Sequence, residues 1–557
     1  MSASSSDTRE AVGRLDRDGV PEFEWRLTDT RLGDLVKLVI PPNDVLPVIF
    51  VPGIMGSNLK SNDGKNDLIW RLDAGFKGIP TKIVGRWVGK SAGERQKALH
   101  PARAEVDRDG AVPKQKVGSI ANLSDYKHRG WGEVGEPSYH EFLLWLEDRL
   151  NGQGANPLHW SDFSYTRIES TPSLAPGQPG YRPPTLPPGI PMLMRDMPGG
   201  AEIGHHPRPV MSDDLIKRAG FRMPVYACGY NWLDSNEVAA KRLQARIQKV
   251  IAENNQKGSR CQQVIVVTHS LGGLVARRCA MLSDMQDSIA GVVHGVMPAV
   301  GAAVAYRRCK VGMWDEDKKA GLAIGNDGKK VTAVFAQAPG ALQLLPSQEY
   351  QKGWLKVVDA NGRAVNLQPV NNPYDDIYLR RDRWWGLVRE EWLRPEDGRP
   401  ITWEVCKRNL SYARDFHRVI AKKYHARTYV YYGADRKHLS FEKVTWRMKA
   451  GRRPDTRTLS ASQVGKLGSS EVQDSGNSPG YVGGDWELHC DLQDSSGDGT
   501  VPASSGRAPL IDGGQNIRQQ FRLTGFEHEG SYRHTGAQRA TLYSIIKIAG
   551  DAKASTG

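Results

Sequence analysis

The first clear hydrophobic signal is Val45-Leu46-Pro47-Val48-Ile49-Phe50-Val51, closed by Pro52-Gly53. An unbroken, β-branched run of this length predicts a strand buried on both faces, as in a parallel sheet. Weaker strand patterns lie at 22–27 and 35–40, and 140–150 reads as a short amphipathic helix. From Met223 the alternation becomes regular. Residues 224–230 read as a strand. Residues 236–254 read as a helix, with Val238, Leu243, Ile247, Val250 and Ile251 at helical spacing and Ser235 or Asn236 as N-cap. A buried strand at 263–267, a helix at 271–282 and a strand at 289–293 follow. This order predicts a parallel sheet covered by helices. Residues 428–433 and 521–524 add strands, and 535–548 a last helix.

The pattern is interrupted at three places. Residues 170–209 are rich in Pro and Gly, with Pro183-Pro184 and Pro187-Pro188, and predict an irregular excursion. Residues 298–425 break the alternation and carry Trp314, Trp354, Trp384, Trp385, Trp392 and Trp403. Residues 456–484 are rich in Gly and Ser and predict a mobile loop. No internal repeat is visible. The resulting partition is a first core segment at 1–140, an insertion at 141–222, a second core segment at 223–297, a second insertion at 298–425, and a final core segment at 426–557.

Composition narrows the class. The 557 residues are 39% hydrophobic and 25% charged, as in a globular chain. Lys and Arg exceed Asp and Glu by 76 to 62, a net charge of +14. No nucleic-acid-binding motif accompanies that charge, so nucleic acid is not an expected partner. A basic surface does suit an anionic lipid surface, and equally a merely solvated exterior. The six cysteines form no C-x-x-C pair and read as buried free thiols. The opening MSASSSDTREAVGRLDRDG has no apolar segment of the signal-peptide kind, and no run of eighteen apolar residues occurs. The expectation is a chain made in the cytoplasm.

The chemistry-bearing segment is VIVVTHSLGGLVAR, from Val264 to Arg277, where a buried strand meets a helix through a tight turn at Ser270. Such an elbow lifts a serine hydroxyl above the carboxyl edge of a sheet, at a helix N-terminus that favours negative charge. The usual G-x-S-x-G pattern is altered, with Thr268 in place of the first glycine. A nucleophilic serine needs a base and an orienting carboxylate, in the chain order serine, acid, histidine. Asp498, between Gly497 and Gly499, is the candidate acid. Asp491 and Asp494 are rivals close by, and an ordinary turn aspartate is the bland alternative. His528, just after the last strand, is the candidate base, with His534 as runner-up; His205 and His206 read as solvated. For the oxyanion hole, the N–H of Leu271 is one candidate donor. The N–H of Ile54, in the Pro52-Gly53-Ile54-Met55-Gly56 loop, is the other. The bland alternative for that loop is a strand-end turn with packing glycines. No metal or cofactor is required, and Asp491 with Asp494 is weak evidence for calcium.

VPGIMGSNL, VYACGYNW, THSLGGLVAR, TYVYYG and GDGTVP together resemble lecithin:cholesterol acyltransferase-like lipases and phospholipases. GYNWLDSN, HGVMPAVGAAVAYRR and APGALQLLP are similar to lipase effectors delivered by type VI secretion systems. The resemblance implies an α/β-hydrolase fold, a mostly parallel sheet with helices on both faces and large cap insertions. It also implies the roles just listed for Ser270, Asp498, His528 and Ile54. The activity implied is that of a phospholipase of A type, acting through an acyl-enzyme on lipid at a membrane surface. A toxin of this kind would act in a target-cell periplasm, with an immunity protein and a secretion carrier as partners. The insertions at 170–210 and 298–425 would form a cap over the serine, whose Trp residues either bind acyl chains or, by ordinary burial tendencies, form core. Two other readings stay open: an acyltransferase using the same acyl-enzyme, and a non-catalytic binding protein on a hydrolase scaffold.

Overall fold

The computed structural model describes residues 8–12, 14–15, 21–22, 35–39, 42–71, 87, 89–113, 123–151, 210, 212–314, 316, 325–448, 459–464, 469–474 and 485–552. Its centre is a six-stranded sheet of β1 (Val48–Val51), β2 (Val225–Ala227), β3 (Val264–His269), β4 (Ile289–Gly295), β5 (Thr428–Gly433) and β6 (Ile517–Leu523). Every pairing is parallel, and the strand order is β6-β5-β4-β3-β1-β2. β1 and β3 read as largely apolar runs because the sheet is covered on both sides there.

Alternate side chains of each strand feed two cores. Ile49, Val51, Val264 and Val266 point to one face. There they meet α2 (Asn236–Gln256), α3 (Leu271–Cys279), α4 (Trp403–Ile420) and α5 (Ala503–Asp512), through residues such as Leu243, Leu274, Leu410 and Ala508. Val48, Phe50, Ile265 and Val267 point to the other face. That face meets α1 (Glu136–Asn151) and α6 (Thr535–Asp551), through Phe142, Leu143, Ile545 and Ile546. Ser235 caps α2, accepting a hydrogen bond from the Glu237 N–H. The architecture is the α/β-hydrolase arrangement that the motifs imply.

One expectation is corrected and one choice narrows. The Gly/Ser-rich stretch is not simply a loop. Leu459–Val464 pairs with Ser469–Asp474, which pairs in turn with Asp485–Cys490, in a second six-stranded sheet that also holds Val444–Met448, Leu355–Val358 and Ala364–Gln368. Composition hid these strands because cross-strand partners, not local propensity, stabilise them. Of the two roles left open for the tryptophans, burial favours core. Trp354, Trp384, Trp385 and Trp403 are buried in the core that covers the first face of the central sheet, and Trp392 is buried as well. Trp314 alone of those six is half-buried. The Pro-rich excursion at 170–209, with His205 and His206, lies outside the described residues. All six cysteines are buried, and none is in a disulfide.

Candidate active site

The site forms where three strand ends converge. β3 runs into α3 with no intervening loop, and Ser270 takes the whole reversal in its own backbone, at φ 51° and ψ −123°. A non-glycine residue at positive φ is strained, and such strain concentrates at functional sites. The turn is possible because Gly272 has no side chain: a Cβ there would lie 2.5 Å from the carbonyl oxygens of Val51 and Pro52. α3 can therefore start directly against the end of β1.

The structure brings Ser270, His528 and Asp498 into one hydrogen-bonded line. Ser270 Oγ lies 2.8 Å from His528 Nε2, and His528 Nδ1 lies 2.8 Å from Asp498 Oδ2. A carboxylate only accepts, so Nδ1 carries the proton and Nε2 is left to accept from the serine hydroxyl. Asp498 is 1% exposed, and its other oxygen accepts the Val501 N–H at 2.7 Å and the Thr500 N–H at 3.0 Å. The His528 N–H also donates to the Asp498 carbonyl at 2.7 Å, so acid and base loops are joined through the backbone. A hydroxyl so placed can lose its proton to the imidazole as it attacks an electrophile.

The rivals are engaged elsewhere. Asp491 pairs with Arg447 at 2.8 Å, and Asp494 accepts the N–H groups of Glu442 and Lys443. Burial raises the Asp494 carboxyl above its ordinary range. Among the described residues no group of three or more His, Cys, Asp or Glu gathers as a metal site would. His534 sits at the start of α6 with its ring 5.1 Å from that of Phe526.

The two candidate oxyanion donors flank the serine. Leu271 supplies the first N–H of α3, which has no carbonyl within the helix to bond. The Pro52–Gly56 loop lies against the serine, since a Cβ on Gly53 would be 3.0 Å from Ser270 Cβ. The Gly53 carbonyl accepts the Gly56 N–H at 3.1 Å. That bond fixes the peptide plane whose other end is the Ile54 N–H.

Tyr532 and Asp435 hold the site without having stood out in the sequence. Tyr532 donates to the Thr268 carbonyl at 2.8 Å. The Asp435 carboxylate, just past β5, accepts the Gly525 N–H at 2.8 Å and so ties down the loop that leads to His528. Thr268 itself, where the usual pattern has glycine, is fully buried and bonds His294 Nδ1 at 3.0 Å across the β3–β4 pair. Polar side chains remote in sequence carry no local signature, so pattern reading passes over them.

This architecture has a solved counterpart. Over 90% of its length the chain is similar to 98% of a chain in the crystal structure of the Tle4-Tli4 complex, at 27% identity and a TM-score of 0.67. The likeness expected from scattered motifs therefore extends over most of the chain. Phospholipase PlaB from Legionella pneumophila matches 48% of this chain and 83% of its own at 10% identity; its TM-score of 0.14 carries no argument. No family model and no curated protein matches the chain.

Proposed function

We propose that the chain is a serine hydrolase of carboxylic esters in membrane lipids, a phospholipase of A type. The observation that carries this reading is the line of 2.8 Å hydrogen bonds from Ser270 through His528 to Asp498 at the end of β3. In this mechanism His528 takes the Ser270 proton at Nε2 as Oγ attacks the ester carbonyl, while Asp498 holds the imidazole tautomer. The N–H groups of Leu271 and Ile54 stabilise the tetrahedral oxyanion. His528 then protonates the departing lysolipid or alcohol. Water, deprotonated by the same imidazole, releases the acid and restores Ser270.

The net charge of +14 supports an anionic lipid surface as the place of action. The similar solved structure is a complex of Tle4 with Tli4. It supports a protein partner for this chain too, of the immunity kind, and a role as an antibacterial effector carried by a secretion system into a target-cell periplasm.

The test is release of free fatty acid from anionic liposomes and hydrolysis of a short soluble ester by wild type and Ser270→Ala. The reading expects wild type to act on both and the variant on neither. Wild type acting on the short ester alone would make the chain an esterase and remove the phospholipase. Equal rates in the two proteins would remove serine catalysis altogether.

A further inference from the structure

A second hydrogen-bonded chain runs behind the serine, made of buried groups that the mechanism above does not use. His269, next to Ser270, is 4% exposed, and Tyr139, in α1, is 3% exposed. His269 Nε2 lies 3.0 Å from the His528 carbonyl oxygen, and His269 Nδ1 lies 3.1 Å from Tyr139 Oη. Tyr139 Oη in turn accepts the Gly53 N–H at 3.1 Å. The proton positions follow from the ends inward. A carbonyl only accepts, so His269 donates from Nε2 and accepts at Nδ1; Tyr139 must then donate to Nδ1. Its remaining lone pair takes the Gly53 N–H. His269 and Tyr139 each donate once and accept once, the order of a neutral imidazole, and burial pushes the His269 imidazole down to about 3.

The same pair accounts for both glycines of the Pro52-Gly53-Ile54-Met55-Gly56 loop. A Cβ on Gly53 would lie 2.8 Å from His269 Nδ1, and one on Gly56 would lie 2.6 Å from Tyr139 Oη. The loop is thus shaped around the tyrosine and the histidine. One end of the chain holds the loop with the Ile54 N–H, the other holds the backbone of the base, and its middle is the residue before the serine.

We propose that Tyr139 and His269 are positioning residues that set the oxyanion loop and the base loop in register across Ser270. The proposal rests on the reading of Ser270 as nucleophile. Without the Tyr139 hydroxyl, the Gly53 N–H and His269 Nδ1 each lose their partner in a buried space, and the loop must turn to find new ones. Displacing one oxyanion donor by a fraction of an ångström weakens the transition state more than the ground state.

The variant is Tyr139→Phe, which keeps the ring beside Phe50, 4.9 Å away, and deletes one oxygen. The serine is titrated with a fluorophosphonate, so that rates refer to folded, reactive sites. kcat per titrated site on a short ester is expected to fall about 10- to 100-fold with KM within about 2-fold. Affinity for a trifluoromethyl ketone, which forms the oxyanion on the serine, should fall in step with kcat. Gly56→Ala, which pushes on the tyrosine without removing a polar group, should give the same split. Wild-type kcat per titrated site and wild-type ketone affinity in Tyr139→Phe, with Ser270→Ala inactive, would overturn the proposal alone. So would a lower melting temperature or active fraction with kcat per site unchanged. Ser270→Ala as active as wild type would take away the nucleophile and the proposal with it.

Discussion

Thr268 occupies the place where a strand-to-helix elbow more commonly carries glycine, and His294 explains how it fits. The hydroxyl meets the His294 ring across the strand pair, where burial pushes the imidazole down to about 3 and so keeps it neutral. Thr268→Val keeps the shape and leaves His294 Nδ1 without that bond. It should lower stability by about 1–3 kcal/mol in urea unfolding while leaving kcat near wild type. Asp498→Asn should act the other way. An amide in place of the carboxylate can donate to Nδ1 and so favour the wrong tautomer of His528, and kcat on a short ester should fall about 10,000-fold with little change in melting temperature. The contrast separates residues that hold the fold from residues proposed to do chemistry. Ser270, Asp498 and His528 are legible in the amino-acid sequence, because each stands in a short segment whose glycines and strand-end position mark it. Tyr139 is not legible there: it stands one residue before the helix read at 140–150, and its contact with His269 spans 130 positions of chain.

Among the elements, the β3–α3 junction depends on how closely α3 approaches β1. Gly272→Ala would place a methyl group 2.5 Å from two backbone oxygens. It should cost about 1–3 kcal/mol, seen as a lower urea midpoint, and should lower kcat, because the Leu271 N–H moves with the helix. The strands of the central sheet and α2, α3 and α6 are legible because each satisfies its own period, and their boundaries shift by only a few residues. α4 and the second six-stranded sheet are not legible. Leu355–Val358 pairs with Val444–Met448 across some ninety residues of chain, which no local pattern encodes. Apart from Trp314, the tryptophans of 298–425 follow the commoner rule for aromatic side chains and are buried.

For the whole molecule, buried neutral histidines set a direction for stability against pH. Burial lowers His269 and His294 to about 3 and His417 to about 4, against 6.5 for an exposed imidazole. Between pH 6.5 and about 4 the unfolded chain binds protons at these positions that the folded chain refuses. Stability is therefore full above pH 6.5 and falls as pH drops through that window. Urea midpoints measured from pH 7.5 to 4.5 should decline steadily, and His294→Gln should flatten the slope; a midpoint independent of pH over that range would count against neutral burial. The central claim is that Ser270 is the reactive nucleophile, activated by His528. Its most direct measurement is intact mass and peptide mapping after reaction with a fluorophosphonate. The expected result is one adduct per chain, on Ser270, formed rapidly in wild type and at a small fraction of that rate in His528→Ala. No adduct, an adduct on another residue, or equal rates in the two proteins would contradict it.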